Sequence, residues 1–293
     1  MERVVLSAPG KLNLILRVLT GSVDGYHQIE TLFQSVDVKD LVEVTRGGSG
    51  IELVTSGIET PRGPDNIAHR AAHCFLDAAG LREPVRVRLE KKIPVGAGLG
   101  GGSADAAAVL VGLNIIFEER FSPAEIVGLA GSLGADVPFV TKGGTALGWS
   151  RGDRLVSLSP LPAWPVLICV PDFQVDTGWA YREIDVEVTD RKAESFRYDP
   201  ADFYSLETLR KLTRNDFEDV VMRAHPVLGE VKDTLIQLGG RVVQLTGTGS
   251  AIFALFASER ERAGCLMAVR KRFTFQVMST RISPEGVQVE EIE

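Results

Sequence analysis

Cysteine is scarce in this chain, and its three copies, Cys74, Cys169 and Cys265, are far apart, odd in number and never in C-x-x-C spacing. That excludes a disulfide framework and a cysteine-based zinc site, and the three read as small buried residues in a reducing compartment. Long apolar runs are missing too: nowhere do about 18 uncharged apolar residues follow one another, so no membrane partner is expected. The stretch from Met1 to Leu14 has neither the apolar core nor the cleavage pattern of a leader, and a cytoplasmic protein is expected. Positive charge is in deficit, with 32 Lys and Arg against 39 Asp and Glu and a net charge of −7. A broad nucleic-acid surface is therefore not expected. Repeats and low-complexity tracts are absent. What remains is an ordinary globular composition, 44% hydrophobic and 24% charged, in 293 residues. That length suffices for two domains.

Glycine, by contrast, is concentrated. Gly96, Gly98, Gly100, Gly101 and Gly102 fall within seven residues, followed by Ser103 and an Ala-rich run that predicts a helix from Ser103 to Phe117. Without Cβ atoms the backbone turns sharply and presents N–H groups to a ligand, and the following helix aims its positive end at the same place. The arrangement suits a phosphate. A Walker loop has the same spacing but needs a lysine where Gly102 stands. The dinucleotide pattern G-x-G-x-x-G is met by Gly96, Gly98 and Gly101, yet it belongs after a fully buried parallel strand. Here the preceding Val85-Arg86-Val87-Arg88-Leu89-Glu90-Lys91 alternates apolar and charged, which predicts an antiparallel strand with one wet face. A glycine-rich lead-in to a helix, with no ligand, is the plainer alternative.

Other candidates are ambiguous when read alone. After a first strand that breaks at Ala8-Pro9-Gly10, Lys11, Asn13 and Arg17 share one face of a second, opposite Leu12, Leu14 and Leu16. A solvated strand lysine is the ordinary reading of Lys11. Asp24-Gly25-Tyr26-His27 reads as a tight turn. Strands are expected at Leu41–Val44 and Ile51–Val54, then a helix from Ile67 to Ala79 that Asp65 or Asn66 would cap. His69 and His73 have metal-ligand spacing, but Arg70 stands where a catalytic glutamate would, and no metal is assigned to them. A helix Ala124–Leu133 leads to Asp136, which alone reads as a loop or cap residue. Pro160, Pro162 and Pro165 mark a turn-rich crossing, so domains are expected over 1–155 and 156–293. Val166–Val170 is a buried strand, Trp179 and Tyr181 are packing or binding aromatics, and residues 182–203 read as irregular. His225-Pro226 is a break with no role. A second glycine-rich turn, Thr246-Gly247-Thr248-Gly249-Ser250, lies between two strands, and the acidic end Glu290–Glu293 is expected to fray.

Taken together, S-A-P-G-K-L-N-L at 7–14, P-V-G-A-G-L-G-G-G-S-A-D-A-A at 94–107, L-G-A-D-V-P-F at 133–139 and L-T-G-T-G-S at 245–250 resemble, in order, the motifs of the GHMP kinases, small-molecule kinases of galactose, homoserine, mevalonate and related alcohols. The resemblance implies an α/β fold of α+β type, with an N-terminal domain like the second domain of ribosomal protein S5 and a ferredoxin-like C-terminal domain. It implies ATP and Mg²⁺ as cofactors. Lys11 and Asp136 become the catalytic pair. Asn66, Lys91, Pro94, Val95, Gly96, Ala97, Gly98, Leu99, Gly100, Gly101, Gly102, Ser103 and Ala104 become ATP-binding residues. Asp105, in the first helical turn where many relatives are neutral, and Ser103 are the expected Mg²⁺ contacts.

Lys11–Leu14 followed by Asp24–His27 and Thr31–Gln34 resembles the branch whose alcohol substrate carries a cytidine diphosphate group. That implies a substrate site of Asn13, Tyr26, His27, Thr177, Tyr181, Gly247, Thr248 and Gly249, with Tyr26 and Tyr181 on opposite sides of the base. Tyr26 offers a π-face to a pyrimidine and His27 a donor and acceptor to its edge. Thr177 and Tyr181 match the family segment, whereas Gly178 and Trp179 depart from it. A kinase of another alcohol and a non-catalytic nucleotide-binding protein are the alternatives, and a monomer or homodimer is expected.

Overall fold

In the computed structural model, residues 1–23, 25–187 and 198–293 are described; Asp24 and part of the stretch expected to be irregular lie outside them. The first half runs β1 (Arg3–Val23), β2 (Tyr26–Arg46), β3 (Ile51–Gly57), α1 (Ile67–Ala79), β4 (Val85–Lys91), α2 (Gly101–Ile116), α3 (Pro123–Leu133), α4 (Val137–Lys142), β5 (Thr145–Trp149) and β6 (Arg154–Leu158). The second half runs β7 (Pro165–Val170), α5 (Thr177–Glu187), α6 (Leu206–Leu212), β8 (Arg214–Asn215), α7 (Glu218–Ala224), α8 (Val227–Gln237), β9 (Val242–Leu245), β10 (Ile252–Leu255), α9 (Glu259–Arg272), β11 (Gln276–Arg281) and β12 (Gln288–Ile292). Among the described residues no helix is long and apolar enough to cross a membrane.

The strands form an eight-stranded sheet, with the path β12-β1-β2-β4-β3, and a four-stranded sheet, β11-β7-β10-β9. β1 and β2 make one long antiparallel hairpin whose register shifts between Pro9 and Gly10. The break expected at Ala8-Pro9-Gly10 is thus an irregularity inside a continuous strand. Proline has no N–H to give the ladder, and the shift lets the Lys11 amide donate instead to the Leu99 carbonyl at 2.9 Å. β4 alternates buried and exposed along its whole length, as its sequence predicts. It lies antiparallel to β2 but parallel to β3, so the antiparallel expectation holds on one edge only.

The Ala-rich sequence of α2 follows from its position: Ala104, Ala106, Ala107, Ala108, Val109, Leu110 and Leu113 are all fully buried. The helix packs on both the β1–β2 hairpin and α1. At Gly112 a Cβ would come within 2.9 Å of Leu6 and Val44, so small side chains let the helix sit close to the sheet. A second core, including Leu167, Cys169, Leu228, Val231, Leu235, Cys265 and Val269, joins the smaller sheet to its helices. Burial pushes the thiols of Cys169 and Cys265 up, to about 12 and about 11, whereas Cys74 is only half-buried.

Two expectations are corrected. The acidic end does not fray: Val4 to Ser7 of β1 pair with residues 288–292 of β12. Residues 182–187 are not irregular but complete helix α5.

Candidate active site

Separated stretches from both halves of the chain meet around a cleft of about 620 Å³. Lys11 and Asn13 come from the middle of β1, just past its register shift, and the glycine loop crosses above them. The loop is locked from both sides. Thr246 Oγ1 donates to the Gly98 carbonyl at 3.2 Å and accepts from the Asn13 amide at 3.1 Å, and the Ala251 amide donates to the Ala97 carbonyl at 3.1 Å. The contact is so close that a Cβ on Gly98, whose φ is +80°, would lie 2.0 Å from the Thr246 carbonyl oxygen. Only glycine fits both that conformation and that spacing.

α2 begins at Gly101 with left-handed Gly100 as its N-cap, and no side chain caps its first turn. Its leading amides and the positive end of its dipole are thereby left to the cleft, which Gly100 and Ser103 line.

Asp136 stands at the N-terminus of α4 but does not cap it. Its Oδ2 lies 3.3 Å from Lys11 Nζ, and the two side chains are 32% and 4% exposed: the carboxylate reaches solvent while the ammonium is enclosed. Lys11 also donates to Asn13 Oδ1 at 2.5 Å. That oxygen accepts from the Gly247 amide at 3.1 Å, and Asn13 Nδ2 donates to Thr31 Oγ1 at 2.8 Å. Asn13, which also lines the cleft, thus ties the lysine to the second glycine-rich turn.

The aromatic end of the cleft is built from both halves of the chain. His27 and Tyr181 stack with centroids 4.7 Å apart, and Tyr181 meets Phe217 edge-on at 4.8 Å. Burial, with the Asp136 charge nearby, pushes the Tyr181 phenol up to about 12, so it stays a neutral donor. Tyr26, at the tip of the β1–β2 hairpin, is 60% exposed. The Thr177 and Thr248 hydroxyls are 3.1 Å apart. Trp179 turns away to meet His225 edge-on, and it does not line the cleft, unlike Tyr181.

Not every expected residue reaches the cleft. Asn66 caps α1 through the Ala68 amide at 2.9 Å. Lys91 and Asp105, expected to contact ATP and Mg²⁺, are instead buried and paired with each other at 2.6 Å. In β4 the alternation that exposes Arg86, Arg88 and Glu90 turns Lys91 inward, and because α2 starts at Gly101, Asp105 stands just past its first turn, directed at Lys91 of β4. Sequence reading also missed Arg151. Its guanidinium lies 5.4 Å from the Tyr26 ring centroid and is held by Asp153 through Nε at 3.0 Å and Nη2 at 2.7 Å. The Arg-Gly-Asp tripeptide at 151–153 reads only as part of a turn, and no local signal brings Tyr26 to it.

Models of the GHMP kinases N terminal domain and the GHMP kinases C terminal region match residues 66–144 and 202–274. The 4-diphosphocytidyl-2-C-methyl-D-erythritol kinase of Moorella thermoacetica is 38% identical over 88% of this chain and 91% of its own length. The protein of the same name from Pelotomaculum thermopropionicum is also 38% identical, over 94% of this chain and 96% of its own. A crystal structure of 4-(cytidine 5'-diphospho)-2C-methyl-D-erythritol kinase superposes with a TM-score of 0.76 at 34% identity, covering 95% of this chain and 99% of that one. The homoserine kinase of Cytophaga hutchinsonii, at 18% identity and a TM-score of 0.74 over 99% of this chain and 98% of its own, shares the fold. With both domain models matched, relatives above 30% identity along nearly the whole chain and the expected α/β architecture in place, this chain belongs to the GHMP kinase family.

Proposed function

We propose that this chain transfers the γ-phosphoryl group of ATP to the 2-hydroxyl of 4-diphosphocytidyl-2-C-methyl-D-erythritol, giving the 2-phosphate and ADP, a step of the non-mevalonate route to isoprenoid precursors. The family supplies ATP as the phosphate donor. The single observation that carries the reading is the Lys11–Asp136 pair, 3.3 Å apart, between a glycine loop and an aromatic end built around Tyr26, His27 and Tyr181.

In this reading the 2-hydroxyl oxygen attacks the γ-phosphorus, its proton passes to Asp136, and the bridging oxygen leaves with ADP. Lys11 holds the alcohol and phosphoryl oxygens. Its link to Asn13 fixes where its charge sits. The loop amides and the α2 dipole meet phosphate charge that a Walker lysine meets elsewhere. Tyr26 and Tyr181 flank the base, His27 addresses its polar edge, and Thr177, Gly247, Thr248 and Gly249 line the substrate side. Residues 1–155 supply the nucleotide-bearing side and residues 156–293 the closing side, with β8 and β12 returning to the first sheet, in a cytoplasmic monomer or homodimer.

Mg²⁺ accompanies ATP in this proposal, but the expected pair of protein contacts does not fit it. Ser103 lines the cleft, whereas Asp105 is committed to Lys91. No step is routed through the ion, which the nucleotide's own phosphates would carry.

Coupled ADP release tests the assignment, with the cytidyl alcohol set against homoserine, mevalonate and galactose. The cytidyl alcohol is expected to be turned over at least about thirtyfold more efficiently than any of the three, since two base-stacking contacts contribute roughly 1–3 kcal/mol each. Preference for another alcohol would favour a sister kinase. ATP binding without transfer to any of them would favour a non-catalytic protein.

A further inference from the structure

Behind the glycine loop lies a cluster of charge that the proposed chemistry does not use. Asp40 of β2, Lys91 at the end of β4 and Asp105, just past the first turn of α2, have side chains no more than 2% exposed. Lys91 Nζ bonds Asp40 Oδ2 on one side and Asp105 Oδ2, at 2.6 Å, on the other. Asp105 Oδ1 is buried with no hydrogen-bond partner among the described residues. One cation between two fully enclosed carboxylates leaves a negative charge in excess, a costly arrangement in a low-dielectric interior unless one carboxyl keeps its proton. Burial, opposed by Lys91 and reinforced by the Asp40 charge, pushes the Asp105 carboxyl up to about 7.

The backbone partners of the cluster give it a direction. Asp40 Oδ1 accepts from the amides of Lys92 and Ile93, at 2.5 and 2.9 Å, where the chain leaves β4 for the loop. Lys91 Nζ also approaches the Gly101 carbonyl at 3.3 Å, where the loop becomes α2, and Asp105 lies one turn further on. Both ends of the glycine loop are therefore fastened to one buried point. A core salt bridge that served stability alone would have no need to hold these two backbone positions.

We propose that Asp40, Lys91 and Asp105 are positioning residues: a buried clasp that sets the distance between the two ends of the glycine loop and so the shape in which its amides receive the ATP phosphates. The clasp rests on the reading of residues 94–104 as the ATP loop. It acts without touching the alcohol substrate, because none of its three members lines the cleft that Lys11 and Asp136 line.

The test measures ATP affinity by direct titration and KM for both substrates in Asp105→Ala, Asp40→Asn and Asp105→Asn. Asp105→Ala and Asp40→Asn each leave Lys91 with one carboxylate, a balanced pair, and either one that folds carries the test. ATP affinity is expected to weaken about tenfold or more in both, while KM for the cytidyl alcohol stays within about twofold. Asp105→Asn, whose amide oxygen still accepts from Lys91, is expected to remain within about threefold of the native chain for ATP. A lowered melting temperature with unchanged ATP affinity, an equal rise for both substrates, or failure of both variants to fold would make the cluster a requirement of the fold alone and overturn the proposal. Because ATP binding is read directly, a native chain that ignores the cytidyl alcohol would sink the substrate assignment and leave this test intact.

Discussion

Lys11 and Asp136 divide their tasks by exposure: the lysine is enclosed and held by Asn13, while the carboxylate is a third open to solvent. A fixed cation and an accessible base are what proton removal from an incoming alcohol requires. Asp136→Ala and Lys11→Ala are each expected to lower turnover by at least about a hundredfold with the circular dichroism spectrum retained. Turnover within a few fold of native in either variant would remove that residue from the mechanism. Asp105 makes a different prediction. Its carboxyl, facing Asp40 and Lys91, keeps its proton up to about pH 7 in the folded chain, against 3.8 for its ordinary value. The folded state therefore binds more protons than the unfolded one between those two values, and stability falls as pH rises through that window. The melting temperature of the native chain should decline from pH 5 to 7.5 relative to that of Asp105→Asn, which cannot titrate. Parallel curves would show that Asp105 is ionised throughout.

At the scale of elements, the glycine loop works because three others close on it: β1 through the Lys11 amide, the turn after β9 through Thr246, and the buried clasp from behind. The tightest of these contacts is backbone on backbone, at Gly98. Gly98→Ala is expected to lower kcat/KM for ATP at least about tenfold, since its methyl group would force the loop away from Thr246. Native kinetics in that variant would mean that the loop does not need this packing. Much of this was legible in the sequence. The loop, Lys11, Asp136 and the 246–250 turn are each carried by a contiguous string whose residue types are hard to explain otherwise. The clasp was not legible, because its members come from positions 40, 91 and 105 and their pairing is a property of packing. Asp105 illustrates the difference: a carboxylate one turn into a helix reads as a metal contact until the direction of its side chain is known. β12 escaped for another reason. All five of its residues are exposed, so the strand is held by its ladder with β1 and leaves no apolar pattern to read.

Across the whole molecule, the two sheets share a continuous core, in which Val166, Ile168, Phe253 and Leu255 of the smaller sheet pack with residues of the larger one, and the cleft likewise belongs to neither sheet alone. Lys11, Asp136 and the loop come from the first half, and Thr177, Tyr181, Phe217 and the second glycine turn from the second. The fold is shared with the homoserine kinase at 18% identity, so architecture does not select the alcohol. The aromatic end, where His27 stacks on Tyr181 and Arg151 faces Tyr26, is where this chain's choice should reside. The direct measurement is kcat/KM for the cytidyl alcohol against the same methylerythritol phosphate stripped of its cytidine moiety. Two flanking aromatic contacts at roughly 1–3 kcal/mol each predict a loss of at least about thirtyfold on stripping. Equal efficiency with the two substrates would contradict the account.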